Sequence, residues 1–428
     1  MLKQFTLKSF SLKKVSTSLV VIASLLIAQA PFAENAIAAE AKAEKKKRPT
    51  QLVGPKVGKK VQEAFELYTA DDIDGAIVVL KDISAKKDYD KAYVARFIAV
   101  MYATKGDAED AIKYLEIAVA PDILNAGDQG EALKLLGDLK MQTKQYKSAL
   151  KYYYAWMEFT GKNDGNTWVK IAQANYELKQ LDKMIVPADK AIAAFGDKPN
   201  QNPYILKLTS YYERKMYKEA IDVLETVILI FPENKSWWTQ LPMFYLLTEN
   251  YPKAVQTLDL AYKQGFLDKE SQIKTLANLY SSAEAPYKAA KLLEKHIASG
   301  LVKRDDKNIS TLANAWHAAQ HVGTAAKYYG ELAKMTNEAK HYRKHGMLLK
   351  QDEQFTKAIP ALEKALELGV DNKGRIYMSI AESYFYLEKY KQANIAINKA
   401  MEDPKSRKAA KGWKGFIVDT ARRKKVSI

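Results

Sequence analysis

Small side chains recur along this chain with a period near 35 residues. Each lies at the centre of a similar apolar segment, and in one copy Ala254, Leu258 and Ala261 have the spacing of one helix face. We call the ten central residues anchors, and successive anchors are 33 to 38 residues apart. The anchors are Ala76, Ala111, Ala149, Met184, Ala220, Ala254, Ala289, Ala325, Ala358 and Ala393.

A second small residue lies twelve positions before most anchors. Three positions after that small residue, many of the repeats have a large aromatic residue. The small residues are Ala64, Ala99, Gly137, Ala172, Ala277, Ala313, Gly346 and Ala381, and the rings are Tyr102, Tyr211, Tyr245, Tyr280, Trp316 and Tyr384. Small residues at fixed offsets let two antiparallel helices approach closely. This is the pattern of the tetratricopeptide repeat, a helix-turn-helix unit of about 34 residues.

The repeats predict an all-α fold, a tetratricopeptide-repeat solenoid of about ten helix pairs over residues 57–403. We expect a right-handed superhelix, closed by a capping helix at about 406–423 within a basic tail, 404–428. Leu208 and Pro242 replace the first small residue, and Met184 replaces the second. Because an internal proline disrupts a helix, we expect a kink or a late helix start near Pro242.

The N-terminal residues have the features of an export signal. Four lysines precede an uncharged run of about ten residues from Leu19, which is too short to span a bilayer. Residues 1–38 therefore indicate a cleavable signal peptide and a periplasmic protein; a membrane anchor or an amphipathic helix is the alternative. Residues 39–56 are rich in Lys and Pro and indicate a basic flexible linker, either a spacer or a tether to an anionic surface.

The composition fits a folded, basic protein without cysteine chemistry. The formal net charge is +17, the hydrophobic fraction is 47%, and there is no Cys. This excludes disulfides, thiolate catalysis and Cys-bound zinc. The charge favours acidic partners but does not choose among them.

Repeat register predicts which first-helix side chains line a binding groove. From the anchors, the groove changes from neutral and aromatic to basic along its length, which suits an extended peptide that carries carboxylates. The predicted groove residues are Tyr176, Asn202, Tyr212, Lys274, Asn278, Asn314, His317, Lys340, Arg343, Lys350 and Arg375. Lys274, Asn278, Asn314 and Arg343 partly resemble the carboxylate clamp of some tetratricopeptide domains, although Thr311 and Met347 depart from it.

Catalytic and metal sites have little support. His317 with His321, and His341 with His345, have the one-turn spacing of metal ligands, but neither pair carries the Glu of a His-Glu-x-x-His motif. Register places His345 toward the core and His321 in a turn. The chain has no phosphate loop or Gly-x-Ser-x-Gly motif, so we expect no enzyme and no cofactor or metal.

The entry segment from Arg48 to Tyr68, which includes Arg-Pro-Thr-Gln-Leu-Val-Gly-Pro-Lys, resembles one bacterial family. These are the periplasmic tetratricopeptide proteins that accompany the TonB, ExbB and ExbD energy-transduction machinery. The resemblance implies a scaffold in TonB-dependent outer-membrane transport, with a TonB-complex component or an outer-membrane protein as partner, no nucleic acid, and at most peripheral membrane contact. The alternatives are an envelope-surface binder of anionic glycan or lipid and a metal-dependent enzyme.

Overall fold

The computed structural model describes residues 48–428, in which Thr50–Ile428 form one compact unit. The predicted signal peptide lies outside the described residues. The first five helix pairs are α1 (Pro55–Thr69) with α2 (Ile73–Lys81), α3 (Asp88–Lys105) with α4 (Ala108–Val119), α5 (Ala126–Gln142) with α6 (Tyr146–Thr160), α7 (Gly165–Glu177) with α8 (Ile185–Phe195), and α9 (Gln201–Glu213) with α10 (Tyr217–Ile230).

The remaining five pairs follow in the same order, and one helix ends the chain. They are α11 (Lys235–Leu247) with α12 (Tyr251–Lys263), α13 (Glu270–Ser282) with α14 (Pro286–Ala298), α15 (Asp306–Ala318) with α16 (Val322–Thr336), α17 (Ala339–Gln351) with α18 (Phe355–Glu367), α19 (Lys373–Tyr386) with α20 (Tyr390–Glu402), and finally α21 (Arg407–Arg423). Each helix packs against the next one along the chain.

The all-α prediction of ten helix pairs and a capping helix is confirmed, and residues 48–428 contain no β-strand. None of the helices in this part of the chain is long and apolar enough to cross a membrane.

All ten anchors are completely buried, with no exposed surface on any of them. The earlier small positions are buried as well, and two of them are glycines in tight contact with the paired helix. A Cβ atom on Gly137 would lie 2.7 Å from Cε1 of Tyr153, and one on Gly346 would lie 2.6 Å from Cγ of Leu362. Real Cβ atoms do not approach so closely, so the helices of these pairs are nearer than an Ala would allow.

The turn inside each pair repeats as strictly as the anchors do. The residue five positions before every anchor has a left-handed backbone, with φ between 56° and 88°, and only one of these ten residues is a glycine. The next residue donates its backbone N–H to the carbonyl five residues back, as in Asn250 to Tyr245 and His321 to Trp316. This is the Schellman ending of a helix. The ten turns therefore share one geometry.

The three departures from the repeat pattern are accommodated locally. Met184 is fully buried. It is the last residue of a short 3₁₀ turn, Leu181–Met184, that leads into α8. Pro242 lies inside α11, which begins seven residues earlier at Lys235, so the late helix start expected there is wrong. Leu208 is 5% exposed, and its side chain packs in the hydrophobic core.

The end of the predicted linker is held against the array. The backbone N–H of Gln51 donates to Oδ1 of Asn125 at 2.8 Å, and its side-chain amide donates to the carbonyl of Ile123 at 3.1 Å. The N–H of Gly54 donates to Oδ1 of the buried Asp90 at 3.0 Å. Residues 51–54, which composition assigns to a flexible linker, are thus tied to the second and third helix pairs.

The close approach of α5 and α6 at Gly137 can be tested by a substitution that adds one methyl group at this position. We expect Gly137→Ala to lower the free energy of unfolding by about 1 kcal/mol, because the clash with Tyr153 outweighs the higher helix propensity of Ala. The matched control is Gly412→Ala in α21, where a Cβ meets nothing within 4 Å and stability should rise by about 0.5–1 kcal/mol. Thermal or denaturant unfolding measures both, and equal effects of the two substitutions would contradict the packing assignment.

Candidate functional site

The predicted groove residues all lie on the first helices of their pairs. Tyr176 is on α7, Asn202 and Tyr212 on α9, Lys274 and Asn278 on α13, Asn314 and His317 on α15, Lys340, Arg343 and Lys350 on α17, and Arg375 on α19. None is among the buried residues. We call the solvent-facing sides of these helices the first-helix face.

Polar side chains link successive first helices, two at this face and one through the buried Asn308. The hydroxyl of Tyr176 on α7 donates to Oε1 of Glu213 on α9 at 3.3 Å. Nδ2 of Asn308 on α15 donates to Oε1 of Glu270 on α13 at 2.9 Å, and Lys350 on α17 forms an ion pair with Glu382 on α19. The first helices are therefore true neighbours, and their side chains can meet one ligand.

Three of the predicted groove lysines are neutralised by carboxylates. The Nζ atom of Lys340 lies 2.5 Å from Oε2 of Glu338, that of Lys274 lies 3.6 Å from Oε1 of Glu270, and Lys350 pairs with Glu382. The pairs at Lys274 and Lys340 are largely solvent-exposed, and such pairs contribute little to stability. They remain available for exchange with a ligand carboxylate.

The cations without an intramolecular partner lie on the last three of these helices. Within residues 48–428, Lys307, Arg343 and Arg375 form no ion pair, and all three are exposed. Residues 263–350 contain 15 Lys or Arg and 8 Asp or Glu, whereas residues 49–262 contain 27 and 29. The basic character of the array is thus concentrated around α13 to α17.

A polar cluster joins α15, α16 and α17 in this basic region. The hydroxyl of Tyr329 donates to Oδ1 of Asn314, and Nζ of Lys344 lies 5.9 Å from the centre of the Tyr329 ring. Burial lowers the pKa of His317, and the positive charge of Lys344 lowers it further. Tyr329 and Lys344 were not predicted from repeat register, because one is on a second helix and the other lies outside the assumed groove positions.

The four residues of the partial clamp differ in whether another side chain of the protein already contacts them. Asn278 and Arg343 are exposed, while Lys274 is paired with Glu270 and Asn314 accepts from Tyr329. A ligand carboxylate would meet Asn278 and Arg343 directly and would have to replace an existing partner at the other two.

The histidines are used in packing and turns. His345 is hydrogen-bonded through Nδ1 to the carbonyl oxygen of Ala326 at 2.8 Å, and burial lowers its pKa. His321 is the N-cap of α16 and its ring lies 5.1 Å from that of Trp316. These are the core-facing and turn positions that register predicts. No group of three or more His, Cys, Asp or Glu that could hold a metal occurs in the described part of the chain.

A cleft that sequence patterns did not predict opens between α2, α3 and α4. Its volume is about 500 Å³, its floor is formed by Val94, Ala95 and Ile98, and Lys81 and Lys86 are among its lining residues. The cause is the length of α2, which has 9 residues where the other second helices have 11 to 15. The cleft lies beside this short helix, and the α3 residues that line it, Val94, Ala95 and Ile98, are themselves buried. The only signal in the sequence is the early turn-forming segment after Lys81.

Comparison with known proteins gives fold-level likeness alone. No protein-family model matches the chain. No curated protein matches it either.

Solved structures match at low identity. The structure of Naa15/Naa10 bound to HypK-THB is 13% identical over 82% of this chain, with a TM-score of 0.45. This chain covers 64% of that one, less than two thirds of its length. The C-terminal part of a TPR repeat-containing protein from Cytophaga hutchinsonii is 15% identical over 64% of this chain and 96% of its own, with a TM-score of 0.35. MamA is 18% identical over 41% of this chain and 91% of its own, with a TM-score of 0.34.

Four histidines between α14 and α17 make stability depend on pH. Burial lowers the pKa of each in the folded chain; they are His296, His317, His341 and His345. In the unfolded chain they bind protons near pH 6.5. Between the two pKa values the unfolded state therefore carries more protons, so stability falls as the pH is lowered.

We expect the melting temperature to decrease when the pH is taken from about 7.5 to about 5.5. His345→Gln should reduce this dependence, because it removes one histidine whose pKa is lowered by burial in the folded chain. Differential scanning fluorimetry across the range provides the measurement. Constant stability, or an increase on acidification, would contradict the assignment.

Proposed function

We propose that the chain is a non-catalytic scaffold for protein–protein interaction that binds an extended, acidic peptide segment on its first-helix face. The observation that carries this proposal is that four successive first helices each carry an exposed polar or cationic group. Asn278, Lys307, Arg343 and Arg375 come from α13, α15, α17 and α19 in order. Asn can bind the backbone of an extended peptide and the cations can bind its carboxylates.

The electrostatics favour an acidic partner over a basic one. The region with excess positive charge, 263–350, contains three first helices of the face. Like charges across an interface would oppose association, so a basic segment would be rejected there. Charge complementarity of this kind acts mainly on the rate and specificity of association.

We further propose that this scaffold works in the periplasm as an accessory of a TonB-type transport system. The basic leader with its short apolar run and the entry segment from Arg48 to Tyr68 support this assignment. The partner would be an acidic segment of a TonB-complex component or of an outer-membrane protein. The absence of recognisable catalytic motifs in the sequence supports a role in binding.

The proposal predicts which cations matter for partner capture. Mature protein immobilised on resin should recover its partner from a periplasmic extract, and Lys307→Glu with Arg343→Glu should reduce recovery at least roughly tenfold, since two favourable charge contacts become repulsive. Quantitative mass spectrometry of the captured proteins gives the readout.

The control carries the same charge change on second helices. Lys147→Glu with Lys218→Glu alters two exposed cations on α6 and α10. If both double variants lose the partner equally, binding follows net charge and the first-helix face is not the site. If neither loses it, the acidic-segment proposal is wrong.

A further inference from the structure

The positive charge of this protein is concentrated outside the repeats. Residues 49–403 contain 49 Lys or Arg and 46 Asp or Glu, so the array is close to neutral. Residues 404–428 contain nine Lys or Arg and a single Asp. This short C-terminal part, which consists mainly of α21, therefore holds about half of the formal charge of +17.

Most of these cations are free to meet a ligand. Within the described part of the chain, Lys405, Lys408, Lys411, Lys414 and Lys425 form no ion pair, and the contacts of Arg422 with Asp419 and of Lys424 with Glu388 are long and exposed, at 3.6 and 3.3 Å. Helix α21 buries Ala410, Ile417 and Ala421. Lys408, Lys411 and Arg422 lie on the opposite, exposed side.

Exposed aromatic rings also lie at this end of the chain, on α21 and on the end of α19. Phe416 on α21 is 50% exposed and Tyr386 at the end of α19 is 60% exposed. Both rings contact Phe385, with centroid distances of 5.0 Å for Phe416 and 5.7 Å for Tyr386. Trp413 and Phe355 extend this cluster, at 5.8 Å from Phe416 and 5.0 Å from Tyr386. The rings are fixed by their neighbours and yet half open to solvent.

We define Tyr386, Lys408, Lys411, Phe416 and Arg422 as the basic end surface. Its chemistry combines exposed cations with exposed aromatic rings, which is the combination that favours the interface of an anionic bilayer. A bound peptide usually needs a groove or a sheet edge. The free side of a last helix provides neither, whereas it can lie against an extended, flat surface.

We propose that the basic end surface docks on a membrane that contains anionic phospholipid. The lysines and arginines are attracted to the headgroups, while Phe416 and Tyr386 enter the interfacial region. This contact is peripheral, since the apolar side of α21 is already packed on the array. Its cations all lie on α21, which is not part of the first-helix face, so either proposal can fail without the other.

Vesicle co-sedimentation of the mature protein tests the proposal directly. Wild-type protein should bind vesicles that contain phosphatidylglycerol and should bind pure phosphatidylcholine vesicles weakly, and binding should decrease with salt because the attraction is screened. Each headgroup-facing lysine contributes about fivefold to partitioning. Lys408→Gln with Lys411→Gln should therefore weaken binding by roughly 25-fold.

Two further variants separate the surface from net charge and from folding. Lys147→Gln with Lys218→Gln on α6 and α10 removes the same charge elsewhere and should retain wild-type binding within about twofold. Phe416→Ser with Tyr386→Ser should lower binding several-fold without loss of charge, and circular dichroism verifies the fold of every variant. Equal binding to neutral and anionic vesicles, or equal losses in the two lysine double variants, would overturn the proposal.

Discussion

The structure depends on the close contact between two helices at one small residue per repeat. Each anchor has no exposed surface, and at the earlier small position Gly137 and Gly346 are in tight contact with side chains of the paired helix. Because protein interiors are packed to near-crystalline density, a side chain larger by a few atoms has no free volume to occupy. The left-handed residue five positions before the anchor fixes the direction in which the second helix leaves the first. Packing and turn geometry together make each pair the same unit.

Sequence patterns predicted the features that require a side chain of a particular size or an apolar side chain. The anchors and rings revealed the period, and the period predicted ten helix pairs; the capping helix, predicted at about 406–423, begins at Arg407. The left-handed turn residues could not be recognised by type, since Asp71, Lys179, Glu284 and Gln320 all occupy the same position. Nothing but the backbone geometry is conserved among the repeats there. In the sequence, only the position of these turn residues, five residues before each anchor, distinguishes them from their neighbours.

Side-chain partners were the least predictable part of the site. Register placed Lys274, Lys340 and Lys350 on the first helices, but it could not show that carboxylates neutralise them. Glu382, for example, reaches Lys350 from the next repeat, 32 residues away. The same applies to the cleft beside Val94 and Ile98, which depends on how soon α2 ends. Ion pairs between repeats and small changes in helix length leave little trace in a periodic pattern.

The central claim is that the nine alanine anchors admit no larger side chain in the regular helix pair, from which the pair with Met184 departs through its 3₁₀ turn. Ala325→Leu in α16 tests it most directly, with Ala193→Leu at an exposed position of α8 as the matched change. The account predicts that Ala325→Leu lowers the free energy of unfolding by about 1–3 kcal/mol, while Ala193→Leu changes it by no more than about 0.5 kcal/mol. Chemical denaturation monitored by far-ultraviolet circular dichroism, which reports helix content, provides the measurement. Equal stability of both variants and the parent protein would contradict the account.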